Sequence, residues 1–337
     1  MNVCIVGAGA VGGLIGARLA AAGQCEVSAL ARGATLAALR QHGWRLWQDG
    51  VLTQVATRAA DRAAALGVQD VVVLAVKTPA LPELAPQLAA LLGPETVVMP
   101  AMNGVPWWFS HGVTALGAGP LESVDPGGVV SHALPLSHVV ACVVHASVAS
   151  PEPGLVRHAM GRGLIVGEAQ GGHSARLARL ATLLGDAGFE VTASPRIRQD
   201  IWYKLWGNMT MNPISALTGA TIDRVLDDPL TRAFCTTAMQ EAALIGSLID
   251  CAIDQTAEDR HAITRKLGAF RTSMLQDVEA GRAIELDSLV TVVHEMGRRL
   301  GVPTPSIDAL LGLARLFGRV HGLYPEALTA NSPRPAD

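Results

Sequence analysis

The sequence is poor in charge, in lysine and in closely spaced metal or thiol ligands, and each shortage removes a class of function. Charged residues make up only 16% of the 337 positions, and 26 basic against 29 acidic side chains leave a formal charge of -3. With no basic face or basic run, nucleic acid is not an expected partner. The longest apolar stretches, such as VVVLAV at residues 71–76, fall far short of the roughly 20 residues of a membrane-spanning helix, so no membrane partner is expected either. Cysteines at positions 4, 25, 142, 235 and 251 are too far apart for a metal or redox pair. The chain opens on a strand-like NVCIV in place of the basic start and cleavage site of a signal peptide. A reduced, cytoplasmic protein is the expectation. The histidines hold no pair at i, i+2 or i+4, which argues against any metal site, and no Gly-x-Ser-x-Gly elbow is present for serine chemistry.

What is present points to a compact, two-domain chain. Half of the residues are hydrophobic, a composition opposed to extensive disorder, and the length suffices for two separate cores. Short apolar runs at residues 3–6, 26–30, 71–76 and 96–99, then ACVVHASV and GLIVGE, alternate with alanine- and leucine-rich stretches. That alternation is the pattern of parallel strands joined by crossover helices. From about residue 174, one helix-like stretch and a last strand, FEVTAS, lead into long apolar-periodic segments at 199–218, 229–250, 256–280, 285–300 and 305–320. Breaks holding Gly, Pro or Asp separate most of them, as helix ends require. The predicted fold class is α/β, with an N-terminal doubly wound parallel sheet over residues 1–195, a C-terminal all-helical domain over residues 196–325 and a frayed tail at 326–337.

Directly after the first strand stands Gly7-Ala8-Gly9-Ala10-Val11-Gly12, followed by the helix-like GLIGARLAAAG. Gly-x-Gly-x-x-Gly is weak evidence alone, but between a strand and a helix at the start of a domain it marks a Rossmann-type dinucleotide site. Gly7 permits the tight turn, Gly9 lets the backbone approach a pyrophosphate, and Gly12 lets the helix pack closely on the strand. The helix N-terminus adds unpaired N–H groups. All six residues are expected to bind the cofactor, and the bland alternative is a purely structural turn. About 20 residues on, where such folds place an Asp or Glu for the ribose hydroxyls, the second strand ends in LARG and Arg32 takes the position. A carboxylate would repel a 2'-phosphate, whereas a guanidinium grips it through two hydrogen bonds. The expected cofactor is therefore NADP(H), the alternative for Arg32 being a solvated surface residue.

Lysine occurs only at positions 77, 204 and 266. Lys77 follows VVVLAV and Asn103 follows TVVMPAM, both just past the carboxyl ends of strands, where doubly wound sheets bind ligands. The competing reading is ordinary loop chemistry, with Asn103-Gly104 making a turn. The stretch WYKLWGNMTMNP at residues 202–213 places Lys204, Asn208 and Asn212 at i, i+4 and i+8 of a helix. This polar row lies among Ile201, Trp202, Leu205 and Met209, with Tyr203, Gly207 and Thr210 on the opposite side. Buried amines and amides without partners are costly, so the row must face partners, water or a ligand, and a cleft between the domains would supply them. A desolvated lysine can act as a proton donor at neutral pH, and asparagine amides donate to a carboxylate or hydroxyl without adding charge. Pro213 would kink or end the helix. The alternative is a buried structural network.

KLWGNMTMNPISALT together with TSMLQDVEAGRAIELD resembles the ketopantoate reductases, the 2-dehydropantoate 2-reductases of the pantothenate pathway. The likeness extends over nearly the whole chain, through Gly7 to Gly12, Lys77, Asn103-Gly104, the lysine and asparagine row, Ser273 to Asp277, and GVPTP at residue 301. It implies hydride transfer from NADPH to the 2-oxo carbon of a small acid, with Lys204 as the general acid that protonates the developing alkoxide. By the same resemblance Asn208, Asn212 and Ser273 match residues that hold the substrate's carboxylate and hydroxyl. Glu285 matches the acid that reaches both substrate and cofactor, Asn103 the amide beside the nicotinamide, and Lys77 a cofactor-side residue. Without the resemblance, Ser273 and Asp277 read as a solvated face. Glu285 then reads as a first-turn residue of the helix ELDSLVTVVHEMGRRL, where negative charge is favourable anyway.

Two departures from the family pattern touch the substrate. Where the family commonly has Asn-Gly after the position of Glu285, this chain has Val290-Thr291, and after Asn103-Gly104 comes VPWWFSHG. Trp107 and Trp108 either cap a larger, more apolar 2-oxo acid at the pocket mouth or pack as core or at a dimer contact. Ketopantoate is the first expected substrate, and another branched or aromatic 2-oxo acid the second. A non-catalytic NADP(H)-binding sensor is the alternative from a different class, opposed by the Lys204, Asn208, Asn212, Ser273 and Glu285 set, because a sensor needs no proton donor. The apolar helices of the second domain would bury either a homodimer contact or only each other.

Overall fold

A computed structural model describes residues 1–326 of the chain. In chain order its strands are β1 (Asn2–Val6), β2 (Glu26–Leu30), β3 (Trp44–Gln48), β4 (Val51–Val55), β5 (Arg58–Ala60), β6 (Val71–Leu74), β7 (Val97–Pro100), β8 (Val140–Glu152), β9 (Leu155–Glu168) and β10 (Glu190–Ala193). The helices are α1 (Ala10–Ala22), α2 (Gly33–His42), α3 (Leu81–Leu84), α4 (Val129–Ala133), α5 (Ala175–Asp186) and α6 (Ile197–Thr218). They continue as α7 (Ile222–Asp227), α8 (Pro229–Leu248), α9 (Ala257–Arg265), α10 (Ser273–Glu279), α11 (Val292–Leu300) and α12 (Pro305–Val320). Two compact units result, one of Met1–Leu205 with Ile249–Cys251, the other of Trp206–Leu248 with the described residues from Ala252 onward. The division falls inside α6.

In the first unit, β5, β2, β1, β6 and β7 lie in that order with every pairing parallel, the Rossmann-type arrangement. Past Asn2, β1 is buried, and β6 and β7 are buried throughout. Strands covered on both faces are apolar at every position, which is why these segments read as unbroken hydrophobic runs. The later strands depart from the expected single parallel sheet. β8 and β9 form a long antiparallel hairpin that turns at Gly154, with φ of +71°. The far side of β9 pairs in parallel with β3 and then with β10, and β4 closes the edge of this second, mixed sheet. The β3–β4 hairpin was not expected at all. It turns on Asp49-Gly50 with φ of +50° and +78°, the left-handed pair that a two-residue hairpin loop demands.

Helix α1 packs on both sheets, and its glycines are the contact points. A Cβ on Gly12 would lie 2.1 Å from the Gly7 carbonyl oxygen, one on Gly13 2.4 Å from Val156 Cγ2 of β9, and one on Gly16 2.6 Å from the Trp44 ring of β3. The missing side chains let the helix approach the strands closely, and the buried Trp44 ring fills the notch at Gly16. One core joins Val3 and Ile5 of β1, Leu14 and Ile15 of α1, Leu46 of β3, Val144 of β8, Val156 and Leu164 of β9, and Leu180 and Leu184 of α5. Each such side chain contributes about 1.5–3 kcal/mol on burial.

The second unit is helical, as the apolar periodicity predicts, with differences at the segment ends. The stretch 256–280, expected to be continuous, is two helices. α9 starts in a capping box between Thr256 and Asp259, the chain turns at Gly268 with φ of +62°, and α10 starts afresh where Thr272 Oγ1 accepts the Leu275 N–H at 3.2 Å. The segment 285–300 begins later than expected, with a π-helical turn over Asp287–Thr291 that runs into α11. Glu285 therefore stands ahead of the helix, not in its first turn. The short α7 was not expected. Beyond Glu326 the expected tail lies outside the described residues.

Helix α6 also corrects the sequence reading. No residue between Ile197 and Leu217 is exposed: Tyr203 is half-buried, and Gly207 and Thr210, expected on the more open side, are buried. A helix covered on all sides carries apolar residues all round and shows no amphipathic stripe. Pro213 does not end it, since the helix continues to Thr218. No described helix is long and apolar enough to cross a membrane.

Candidate active site

The glycine loop lies where β1 hands over to α1, and each glycine has a separate physical role. Gly7 has φ of +89°, and a Cβ there would meet Val76 at 2.7 Å and the Ala75 carbonyl oxygen at 2.9 Å. Gly12 has no room for a side chain, as described above. Around Gly9 the situation is opposite: a Cβ would find nothing within 4 Å, so the backbone faces open space. Gly9 caps α1, whose first turn carries no acidic residue, and the helix-forming bond from Gly13 N to Gly9 O is 2.8 Å. The N–H groups before that bond are unpaired within the helix and face the place an anion would take. Ala8 is buried, while Ala10 and Val11 are half-buried in the opening of the helix.

A pocket of about 740 Å³ of empty space, counted with its opening, runs along this edge and is lined by Gly7, Ala8, Gly9, Arg32, Thr35 and Asp61 among others. Arg32 is exposed and caps α2. The residues fit a dinucleotide: an open backbone cradle at Gly9 for the pyrophosphate and a guanidinium at the end of β2. Lys77, three residues past β6, is half-buried and caps the short 3-10 turn Thr78–Ala80.

Lys204, in the first unit's part of α6, is half-buried. Its Nζ donates to Asn103 Oδ1 at 2.8 Å and to the Val144 carbonyl oxygen of β8 at 2.7 Å. Two acceptors on different elements hold the ammonium at a fixed place beside Asn103. Asn103 is carried past the end of β7 next to Gly104, whose φ is +82°. The structure thus brings the sequence-predicted lysine and asparagine together. Both help line a recess of about 430 Å³, again counted with its opening, whose other walls include Met102, Pro106, Trp108, Cys142, Ile201 and Leu205. Burial pushes the Cys142 thiol up to about 12, with the Lys204 charge pulling the other way, so that side chain is a neutral wall.

Trp107 and Trp108 are both buried, at 2% exposure each, and belong to the core of the first unit. Trp107 Nε1 donates to the Leu134 carbonyl at 3.4 Å. Trp108 also forms one wall of the recess under Lys204, with the Arg198 guanidinium 5.8 Å from its ring centre.

The remaining candidates lie in the second unit. Asn208 is half-buried and Asn212 buried on α6. Ser273 is the exposed first residue of α10. Asp277 is buried and accepts from Arg282 Nε at 2.9 Å, so the pair Ser273 and Asp277 is not a uniformly solvated face. Glu285 is half-buried, beside Ile284, whose N–H is bonded to the Leu323 carbonyl at 3.0 Å. Val290, at one of the positions that depart from the family pattern, is fully buried inside the π turn, and Thr291 Oγ1 donates to Asp287 Oδ1 at 2.9 Å.

Sequence reasoning missed the Val144 carbonyl, Thr35 and Asp61. A backbone acceptor leaves no trace in residue type. Thr35 and Asp61 depend on where α2 and the three-residue β5 run, and β5 gave no alternating or apolar signal.

The family model described as "Ketopantoate reductase PanE/ApbA" matches residues 3–171, and the model for its C-terminal part matches residues 196–317. A 2-dehydropantoate 2-reductase of Mesorhizobium japonicum is 43% identical over 329 residues, covering 96% of this chain and 100% of that protein. A crystal structure from Ralstonia solanacearum, described as a candidate ketopantoate reductase, superimposes with a TM-score of 0.92 at 55% identity, over 96% of this chain and 99% of that one. D-mandelate dehydrogenase in complex with NADH and anilino(oxo)acetate shares the fold, with a TM-score of 0.83 at 18% identity over 96% of this chain and 100% of that one.

Proposed function

Since the chain belongs to the ketopantoate reductase family, and is thus an oxidoreductase acting on CH–OH groups, we propose that it reduces 2-dehydropantoate to pantoate with NADPH, the reductive step of pantothenate biosynthesis. The observation that carries this reading is Lys204, whose ammonium is held by Asn103 and Val144 past the carboxyl edge of the parallel sheet. Gly7 to Gly12 cradle the pyrophosphate, Arg32 takes the 2'-phosphate, and Lys77 and Asn103 serve the cofactor from the ends of β6 and β7. When bound, the dihydronicotinamide supplies the hydride.

The protein's own part is positioning and a proton. Lys204 donates an N–H to the 2-oxo oxygen and gives up its proton to that oxygen as negative charge develops there, leaving a neutral amine that solvent reprotonates. Holding the amine on two fixed acceptors beforehand removes the reorganisation a free lysine would need. Asn208, Asn212 and Ser273 are assigned to the substrate's carboxylate and hydroxyl, and Glu285 to both substrate and cofactor. The apolar wall of Trp108 favours a second reading, in which the substrate is a bulkier branched or aromatic 2-oxo acid reduced by the same chemistry.

The test follows NADPH oxidation by near-ultraviolet absorbance against ketopantoate and a panel of branched and aromatic 2-oxo acids, with Lys204→Ala alongside. General acid catalysis is worth about 10²- to 10⁴-fold, so the variant should lose turnover on that scale while binding NADPH normally. Unchanged turnover in Lys204→Ala would remove the mechanism. Tight NADPH binding with no oxidation by any acid would favour the sensor.

A further inference from the structure

In a Rossmann-type sheet the acidic residue for the adenosine ribose ordinarily ends the second strand, and here Arg32 stands at that place. The sheet returns a carboxylate to the same rim by another route. β5 runs parallel to β2 as the outermost strand, with Leu30 paired to Ala60, and the Ala31 N–H donates to the Ala60 carbonyl at 2.9 Å. The residues that follow this bonded pair, Arg32 and Asp61, therefore leave the sheet side by side at its carboxyl edge. Both line the pocket that contains Gly7 and Gly9, both are exposed, and α2 adds Thr35 to the same wall.

The two side chains make opposite demands on a nucleotide. The guanidinium favours a 2'-phosphate through paired charge-assisted hydrogen bonds. The carboxylate repels that phosphate and accepts hydrogen bonds from free ribose hydroxyls. We propose that Asp61 is a specificity-determining residue for the cofactor: it binds the unphosphorylated adenosine ribose, so that the site takes NADH as well as NADPH and the balance of Arg32 against Asp61 sets the preference. This rests on the reading of the chain as a nicotinamide-dependent reductase.

The experiment measures binding, not turnover. Dissociation constants for NADPH, NADH, 2',5'-ADP and 5'-AMP are determined by isothermal titration on the full chain, on Asp61→Asn and on Arg32→Ala. An exposed like-charge contact is worth a few-fold and a hydrogen bond to a charged group about tenfold or more. Asp61→Asn should then bind NADPH and 2',5'-ADP about two- to fivefold tighter and NADH about tenfold weaker. Arg32→Ala should weaken NADPH and 2',5'-ADP by about tenfold and leave NADH within about twofold. Equal shifts for both dinucleotides in Asp61→Asn, or an unchanged NADH constant, would overturn the role of Asp61 while leaving the reductase reading intact. Failure of the wild-type chain to bind either dinucleotide would overturn both.

Discussion

Two glycines only three residues apart should fail in opposite ways when each gains a single methyl group. At Gly12 the new Cβ would lie 2.1 Å from the Gly7 carbonyl oxygen and 2.9 Å from Ala75 Cβ, the first of these more than ~1 Å inside ordinary contact. The nearest obstacle is backbone that cannot rotate away, so α1 has to lift off β1. Overpacking of this kind costs about 1–3 kcal/mol, and the upper end applies here. For a unit of this size that corresponds to a melting temperature lower by about 6–12 °C. At Gly9 nothing lies within 4 Å, and the backbone, at φ of -77° and ψ of -154°, is open to any L-residue. Gly9→Ala should therefore melt within about 1 °C of the parent. Its methyl group would occupy the space assigned to the pyrophosphate, a conflict of the same 1–3 kcal/mol, or about 5- to 150-fold in NADPH affinity. Differential scanning calorimetry and NADPH titration on both variants decide the matter. A Gly9→Ala protein that binds NADPH as tightly as the parent would refute the placement of the pyrophosphate, and a stable Gly12→Ala protein would refute the account of the α1 packing.

Two further outcomes follow from titrating groups. Burial raises the pKa of Glu168, but hydrogen bonds from Arg176 and Ser174 and the Arg176 charge lower it more, so it lies below the ordinary glutamate value. A depressed folded-state value means the stabilisation is full above the unfolded value of roughly 4.3 and is lost as pH falls through the folded one. Glu168→Gln should accordingly lose about 1–3 kcal/mol at pH 7, with the gap to the parent closing in acid unfolding below about pH 4. A gap that persists undiminished into strong acid would show that the ion pair is not its source. Burial also pushes the thiols of Cys4 to about 11 and of Cys142, Cys235 and Cys251 to about 12. Brief alkylation of the native protein at neutral pH should label the half-buried Cys25 first, and peptide mapping that finds Cys142 labelled as fast would contradict its place under Lys204.

The parts of the molecule legible in the sequence are those written in residue type at short range. Gly7 to Gly12 needed only their position between a strand and a helix, and the strands β1 (past Asn2), β6 and β7 carry the unbroken apolar runs of a covered parallel sheet. Lys204 stood out because lysine is otherwise nearly absent. What was missed depends on partners far along the chain. The apolar run at residues 140–148 fits a parallel and an antiparallel strand equally, and only the register against β9 decides between them. The Asp49-Gly50 hairpin did carry a local signal, two residues suited to left-handed conformations between strand-like flanks. The open side expected for Tyr203, Gly207 and Thr210 failed because a helix covered on every side has no periodicity to read. Burial of Trp107 and Trp108 was likewise a matter of what covers them.

Wedged by the Gly7 carbonyl and Ala75 just past β6 at Gly12, a valine of β9 at Gly13 and the Trp44 ring at Gly16, α1 is held in place before any ligand arrives. Its N-terminal amides need no ordering to receive an anion, so little conformational entropy is lost there on binding. On the proposed reading, the grip common to all dinucleotides is thereby built into the core, whereas the choice between them falls to Arg32 and Asp61, two exposed side chains that can be exchanged without disturbing a single packed residue. Retuning such a chain to another redox pool is a change of its surface, made at almost no risk to its folding.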